Sequence, residues 1–281
     1  RLALVVAAAA LVSGSYWIFI GSKHVSTDNA YVAADIAQVA ARSAGTVKEV
    51  LVTDTQNVKA GDVLVILDDS DANIALKQAE ANAARADAEF DRAQTNLNRR
   101  NKLSTSGFVS TEELNNFQNA YKVAKANADL AKASLEQAQL ELQRTIIRAP
   151  IDGVVAKREV QLGQRIAPGS HLLSIVPVSQ VYVNANFKEV QLVKVKVGQP
   201  VELHADLYGS KVTYHGTVAG VSGGTGSSFA VIPAQNATGN WIKVVQRLPV
   251  RIELDKNSLA KYPLRVGLSM HADINIGKHV K

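Results

Sequence analysis

Residues 45–67 read GTVKEVLVTDTQNVKAGDVLVIL, and residues 153–175 repeat them in outline as GVVAKREVQLGQRIAPGSHLLSI. At a constant offset of 108 positions, Val47 of the first copy aligns with Val155 of the second. Apolar residues alternate in both copies, which is typical of short strands that cannot bury one face alone. We therefore predict that the two copies clasp one another as a split β domain. Each copy turns at two glycines sixteen residues apart, namely Gly45 and Gly61 in the first and Gly153 and Gly169 in the second.

An alanine-rich insert with two heptad series separates the copies. In each series the members are spaced alternately three and four residues apart, which predicts two helices that pack along a seam. Ser110 and Glu113 have the spacing of a capping box at the start of the second helix, and Pro150 ends it. Two helices joined by a short turn predict an antiparallel coiled-coil hairpin with arms of about 50 Å. The predicted seams are Leu76, Ala79, Ala83, Ala86, Phe90, Ala93, Leu97 and Arg100, then Leu114, Phe117, Tyr121, Ala124, Ala128, Ala131, Leu135, Ala138, Leu142 and Thr145.

The chain begins with an apolar segment. Leu2 to Ile20 are nineteen residues without a charge, close to the roughly 20 residues that a membrane-spanning helix needs. Tyr16 and Trp17 suit the aromatic belt at a membrane interface. A cleaved signal peptide is the alternative, but the apolar run continues beyond where such a peptide would end. We expect a retained single-pass anchor, with the rest of the chain on the far side of the membrane from the cytoplasm.

Beyond Val176 the pattern is entirely that of β structure. Five apolar-alternating segments are separated by Gly- or Pro-containing turns such as Gly198–Pro200 and Tyr262–Leu264. Five or six short strands of this kind predict a small closed barrel, because closure leaves no sheet edge exposed.

Composition and motifs argue against catalysis and cofactor binding. The 281-residue chain has no cysteine, and its six histidines never fall at metal-ligand spacing. Gly223–Gly226 lacks the lysine of a phosphate-binding loop. The net charge of +6 is spread along the chain, which favours solvated faces. We expect no nucleic-acid partner, and a minor role of these charges at a membrane surface stays open. Lipoyl and biotinyl carriers also pair two half-domains, but the turn that carries their modified lysine is replaced here by the helical insert. We predict neither enzymatic activity nor a cofactor.

The order of these segments resembles the membrane fusion proteins, or periplasmic adaptors, of the HlyD and EmrA type. Four segments carry the resemblance, and the last two are similar to the EmrA branch: Thr27–Val32 (TDNAYV), Arg148–Gly153 (RAPIDG), Ala185–Glu189 (ANFKE) and Asn236–Arg251 (NATGNWIKVVQRLPVR). The resemblance implies a multidrug efflux adaptor in the periplasm of a Gram-negative bacterium, held by one helix in the inner membrane. It implies three partners: an inner-membrane major-facilitator exporter, a TolC-like outer-membrane channel, and further copies of the chain in a ring of six.

The same resemblance places the contact with the outer-membrane channel at the hairpin tip. Family members often carry Arg-x3-Leu-x6-Ser there, and Arg99, Leu103 and Ser110 fit this pattern, with Gly107 and Phe108 in the turn between. Arg99 and Leu103 lie off the predicted seam and, four residues apart, on one face of the helix. Ser110 has a second interpretation, since it is also the expected helix cap.

The expected fold is therefore a multidomain α+β chain with an N-terminal transmembrane helix, a split lipoyl-like β domain interrupted by a coiled-coil α-hairpin, and a small β-barrel. Two other functions stay open, namely an adaptor for ATP-driven type I protein secretion and a structural coiled-coil surface protein. The expected segments are an anchor (1–21), a linker with the first barrel strand (22–40), the first lipoyl half (41–68), the hairpin (69–147), the second lipoyl half (148–176) and the barrel (177–281).

Overall fold

The structure, a computed structural model, describes residues 23–104, 110–228 and 244–277. The chain divides into two compact units, one of residues 38–175 and one of residues 1–37 with 176–281. The predicted anchor Leu2–Ile20 lies outside the described residues. Among the helices that are described, none combines the length and apolarity needed to span a membrane.

The elements are, in chain order, β1 (His24–Ala33), β2 (Ala37–Ala40), β3 (Gly45–Val50), β4 (Asn57–Val58), β5 (Val63–Leu67), α1 (Ser70–Ser104), α2 (Thr111–Arg144), β6 (Ile146–Arg148), β7 (Gly153–Ala156), β8 (Arg165–Ile166), β9 (His171–Val176), β10 (Tyr182–Lys188), β11 (Pro200–Ala205), β12 (Tyr214–Val221), β13 (Arg247–Leu254), α3 (Lys256–Lys261) and β14 (Ser269–Asn275), with 3₁₀ turns at Glu189–Lys194 and Gly209–Lys211.

The two copies of the sequence repeat fold together, as predicted. They form two four-stranded sheets in the orders β2-β9-β7-β4 and β6-β5-β3-β8. The copies exchange strands, because β4 of the first pairs with β7 of the second, and β8 of the second pairs with β3 of the first. Each sheet therefore contains strands from both copies, and neither copy completes a sheet alone.

The repeat extends further towards the N-terminus than the quoted sequences. At the offset of 108, β2 corresponds to β6, and Val39 and Ile147 are equivalent buried residues. Backbone hydrogen bonds repeat as well, since Gly61 N donates to Ala149 O and Gly169 N donates to Ala41 O, both at 2.8 Å. The burial of Ala41 and Ala149 follows from this shared geometry.

The four predicted turn glycines have two different roles. Gly61 and Gly169 have φ angles of +91° and +85°, a conformation that glycine adopts without strain. Gly45 instead opens β3, where a Cβ atom would come within 3.3 Å of Leu67 Cδ1. Gly153 opens β7 and pairs with Val58.

A further pair of equivalent positions gives a stability prediction. Thr55 has a φ of 71°, and Gly163, which is 108 positions later, has a φ of 75°. A β-branched residue in the left-handed region costs about 1–2 kcal/mol. Glycine has more conformational freedom in the unfolded chain, which offsets part of this cost in both directions of the exchange. We therefore expect Gly163→Thr to lower the free energy of unfolding by about 1 kcal/mol or less, and Thr55→Gly to raise it by a similar amount. Urea denaturation followed by circular dichroism would measure both changes, and shifts of equal sign would contradict the prediction.

The insert forms the predicted antiparallel helical hairpin. Every residue of both predicted seams is buried or half-buried, with Ala83, Ala86 and Ala128 the most enclosed. The rings of Phe90 and Tyr121 meet across the seam at 5.4 Å. Because most seam residues are alanines, the helices approach closely, and the stabilisation is spread thinly along about 50 Å.

The two ends of the hairpin are joined where they enter the β sheets. Leu67 N, at the end of β5, donates to Thr145 O at 2.9 Å, just after α2. Before α1, the Asp68 carboxylate accepts hydrogen bonds from Ser70 Oγ at 2.6 Å and from Ser70 N at 3.1 Å. These bonds, led by the hydroxyl, hold the pKa of Asp68 below its usual value.

The other unit contains the predicted closed barrel, which has six strands in the order β1-β10-β13-β12-β11-β14. Its core includes Phe187, Ile252 and Tyr214, all fully buried. The Tyr214 hydroxyl donates to Tyr262 O at 3.1 Å, and burial raises the pKa of Tyr214 to about 12. β1 closes the barrel between β10 and β14, although some 150 residues separate it from β10 in the sequence.

Candidate functional site: the hairpin tip

The described part of the hairpin tip consists of the last turns of α1 and the first turns of α2, residues 96–104 and 110–117. Ser110 is the N-cap of α2, because its Oγ accepts a hydrogen bond from Glu113 N at 3.1 Å. The Glu113 carboxylate does not complete the predicted capping box. Its Oε1 instead lies 3.1 Å from Arg100 Nη1 on the other helix, since an ion pair with a guanidinium is the stronger interaction.

Arg100 explains why the first seam ends in a charged residue. Its guanidinium carbon lies 5.0 Å from the centre of the Phe117 ring, while the same group pairs with Glu113. The arginine thus contacts α2 through both a cation–π contact and an ion pair. This layer joins the two arms next to the turn. The heptad spacing indicates the position of Arg100 in the seam but not its partners on α2.

The predicted channel-contact residues are on the outside of the hairpin. Arg99 is exposed, and the Leu103 side chain in the last turn of α1 is 38% exposed. Ser110 is exposed as well, although its hydroxyl is already used as the cap. Gly107 and Phe108 lie outside the described residues. The structure therefore presents Arg99 and Leu103 to solvent without assigning either to the seam.

Arg99 and Leu103 continue a row of residues that runs along α1, and the members of this row from Ala75 to Arg99 each lie one position before a seam residue. A shallow groove between the helices is lined by this row and by the equivalent row of α2. Its outward residues are Ala75, Gln78, Asn82, Arg85 and Glu89 of α1 and Asn127, Leu130, Ser134, Gln137 and Glu141 of α2. On α1 the same three- and four-residue spacing leads on through Arg92 and Asn96 to Arg99 and Leu103. The heptad positions in the sequence contain the signal for this whole row.

This face combines guanidinium and amide groups with the exposed side chains of Leu103 and Leu130. Within the described ranges, no group of histidine, aspartate and glutamate side chains is arranged to hold a metal ion. The arrangement can recognise a protein partner through hydrogen bonds and apolar contact.

Two family models match the two units. A CzcB-like barrel-sandwich hybrid domain matches residues 35–176, and an AAEA-like β-barrel domain matches residues 180–271. The first match covers the exchanged sheets together with the hairpin, and the second covers most of the barrel.

Similar proteins extend over nearly the whole chain. The fatty acid resistance protein FarA of Neisseria gonorrhoeae is 45% identical over 89% of this chain and 75% of its own length. The multidrug export protein EmrA of Haemophilus influenzae is 38% identical over 93% of this chain and 79% of its own length. The chain belongs to the EmrA-type membrane fusion proteins.

A solved structure supports the same fold. The membrane fusion protein Spr0693 of Streptococcus pneumoniae superposes with a TM-score of 0.65 over 92% of this chain and 99% of its own, at 19% identity. The resemblance predicted from the sequence is confirmed, and the chain is an adaptor protein and not an enzyme.

Proposed function

We propose that this adaptor links an inner-membrane major-facilitator exporter to a TolC-like outer-membrane channel in a tripartite efflux pump. The observation that carries the proposal is the hairpin tip, where Arg99 and Leu103 face outwards at the end of two 50 Å arms. A rigid spacer with recognition groups at its far end suits a protein that connects two membranes. The similarity to FarA and EmrA favours small apolar compounds as the cargo of this pump, because the names of those two proteins refer to fatty acid resistance and multidrug export.

The proposed working form is a ring of six copies, each anchored by Leu2–Ile20 as a single-pass helix with residues 22–281 in the periplasm. One hairpin cannot enclose a path for cargo, whereas several copies around an axis can. Native mass spectrometry of the adaptor with its exporter would measure the copy number, and an active pump with a monomeric adaptor would rule out the ring. Protease added to spheroplasts should digest residues 22–281, and full protection would contradict the topology.

Site-directed crosslinking tests the channel contact directly. The chain has no cysteine, so a single Leu103→Cys substitution provides the only thiol. In cells that contain a TolC-like channel with cysteines introduced at its periplasmic end, we expect a Leu103→Cys crosslink that forms only when the exporter is present. Ile74→Cys, which is also exposed but lies at the opposite end of α1, is the matched control and should not crosslink.

Absence of the Leu103 crosslink in a strain that exports normally would contradict the proposed tip contact. Export of a protein substrate in place of fatty acids or drugs would favour the type I secretion alternative.

A further inference from the structure

A short segment at one end of the barrel exposes an unusual set of side chains. Residues 188–197 read KEVQLVKVKV and connect β10 to β11 through the 3₁₀ turn Glu189–Lys194. We call this segment the valine–lysine platform. Val190 and Val197 are each 68% exposed and Val193 is 85% exposed, while Lys188, Lys194 and Lys196 are exposed among them.

Two glutamines hold the platform in place. The Gln191 side chain accepts from Lys188 N at 2.9 Å and donates to Ser26 O of β1 at 3.2 Å. Gln199 is almost fully buried, and it accepts from Lys196 N at 2.9 Å and donates to Lys194 O at 3.1 Å. A buried amide with both groups bonded fixes the local backbone strongly. The exposure of the valines therefore results from a fixed backbone conformation and not from a loosely held loop.

The platform divides its apolar residues between two directions. Leu192 and Val195 pack against the barrel core, whereas the three valines between and beside them point outwards. Packing against the barrel core thus explains why residues 192 and 195 are apolar, but it does not explain the three exposed valines. Three outward valines within eight residues form an apolar patch with no partner in the barrel, and such patches mark interaction surfaces.

The platform lies at the end of the barrel where β1 begins. Thr27 Oγ1 of β1 donates to Asn186 O just before the platform, and Gln191 reaches Ser26. In the sequence, only Gly21, Ser22 and Lys23 separate the apolar run Leu2–Ile20 from β1. Four extended residue steps span at most about 14 Å, so an anchored chain keeps this end of the barrel at the membrane surface.

The charges of the platform are suited to the same surface. Its three lysines and Glu189 give a net charge of +2, and Lys23 adds another exposed cation where the chain enters β1. Anionic lipid headgroups attract lysines within a Debye length of the surface, and apolar side chains between the lysines can enter the headgroup boundary.

We propose that the valine–lysine platform docks the barrel directly on an anionic lipid surface, with the valines in the headgroup region and the lysines on lipid phosphates. This inference rests on the anchor of the proposed function. It supplies a second contact with the bilayer, which limits how far the barrel can tilt or swing about the tether.

A fluorescence experiment on the full chain tests the docking. The absence of cysteine allows Val193→Cys to be labelled with an environment-sensitive fluorophore, and Leu207→Cys, an exposed apolar site at the opposite end of the barrel, is the matched control. Both proteins would be placed in nanodiscs of phosphatidylglycerol mixed with phosphatidylcholine, without any exporter. We expect a blue shift and strong quenching by nitroxide-labelled lipid at position 193, and neither at position 207.

Charge removal provides the second readout. Lys188→Gln with Lys194→Gln and Lys196→Gln should reduce quenching at position 193, because each lysine contributes about a fivefold factor to binding at an anionic surface. High salt should reduce it similarly in the unaltered chain. Quenching that persists in both cases would overturn the role of the lysines.

Further outcomes separate the possible failures. If the chain does not remain with lipid after flotation, the anchor itself is wrong. If it floats but position 193 stays water-exposed, the anchor holds and lipid docking is overturned. If position 193 becomes shielded only after an exporter is added, the platform binds the exporter and not lipid, which also overturns the proposal.

Discussion

We expect Leu103→Asp to abolish export while the hairpin remains folded and the protein reaches its normal level in the membrane. Leu103 lies outside both seams and is 38% exposed, so a carboxylate at this position can stay hydrated in the free adaptor. In a docked complex the same carboxylate would be buried without a partner, at a cost of about 1–3 kcal/mol or more. The substitution therefore affects docking far more than folding.

The penalty grows with the number of copies in the pump. A cost of about 1.4 kcal/mol per contact weakens each contact tenfold, and contacts made by linked copies multiply. Drug- and fatty-acid-resistance assays in a strain without its own adaptor would measure export, and circular dichroism would measure helix content. Ile74→Asp, also on the outside of α1 but 57% exposed and far from the tip, is the control and should export normally.

Normal export by Leu103→Asp would exclude tip docking through this residue. Loss of export together with loss of helix content would mean that Leu103 contributes to folding. Ser110→Ala is a poorer test, because removal of the cap alone costs about 1 kcal/mol of helix stability.

The second large effect is expected from Gly216→Ala in the barrel. A Cβ atom at position 216 of β12 would lie 2.5 Å from Glu253 O and 3.0 Å from Ile252 Cγ2 of β13. The first of these atoms belongs to the backbone, and the second belongs to a fully buried core residue, so neither can move aside locally. Overpacking of this kind lowers the free energy of unfolding by about 1–3 kcal/mol, and we expect the upper end of this range here.

Hydrogen exchange of the β12 and β13 amides would measure the loss locally. A cost of about 3 kcal/mol lowers protection more than a hundredfold when exchange follows opening of the barrel. Gly220→Ala is the matched control on the same strand, because no atom lies within 4 Å of its Cβ position. Similar protection in the two variants would contradict the steric explanation.

The seam of the helical hairpin was predictable to the residue, because it depends only on local spacing. Seam positions from Leu76 to Thr145 are all buried or half-buried. The exception is the tip layer, where Glu113 has two possible partners. The sequence places Glu113 near Ser110 N, but Arg100 becomes available only when the helices pair.

The β domains were predictable as strands and turns but not as pairings. The repeat gave the equivalence of the two copies, yet β4 and β8 are two-residue strands whose partners lie in the other copy. No feature of the local sequence distinguishes pairing between the two copies from pairing within one copy. The left-handed conformation of Thr55 is similarly hidden, since the sequence indicates it only through the equivalence of Thr55 to Gly163.

The exchange of strands between the copies also has a consequence for biosynthesis. As the chain is made, residues 45–67 emerge first and cannot complete either sheet until residues 153–175 have been translated. A loop of this length would be slow to close by diffusion, because contacts between distant residues reduce folding rates. The hairpin arms, which form from local interactions, bring Leu67 and Thr145 together and so shorten the search. On this view the long spacer also guides the assembly of the domain that it interrupts.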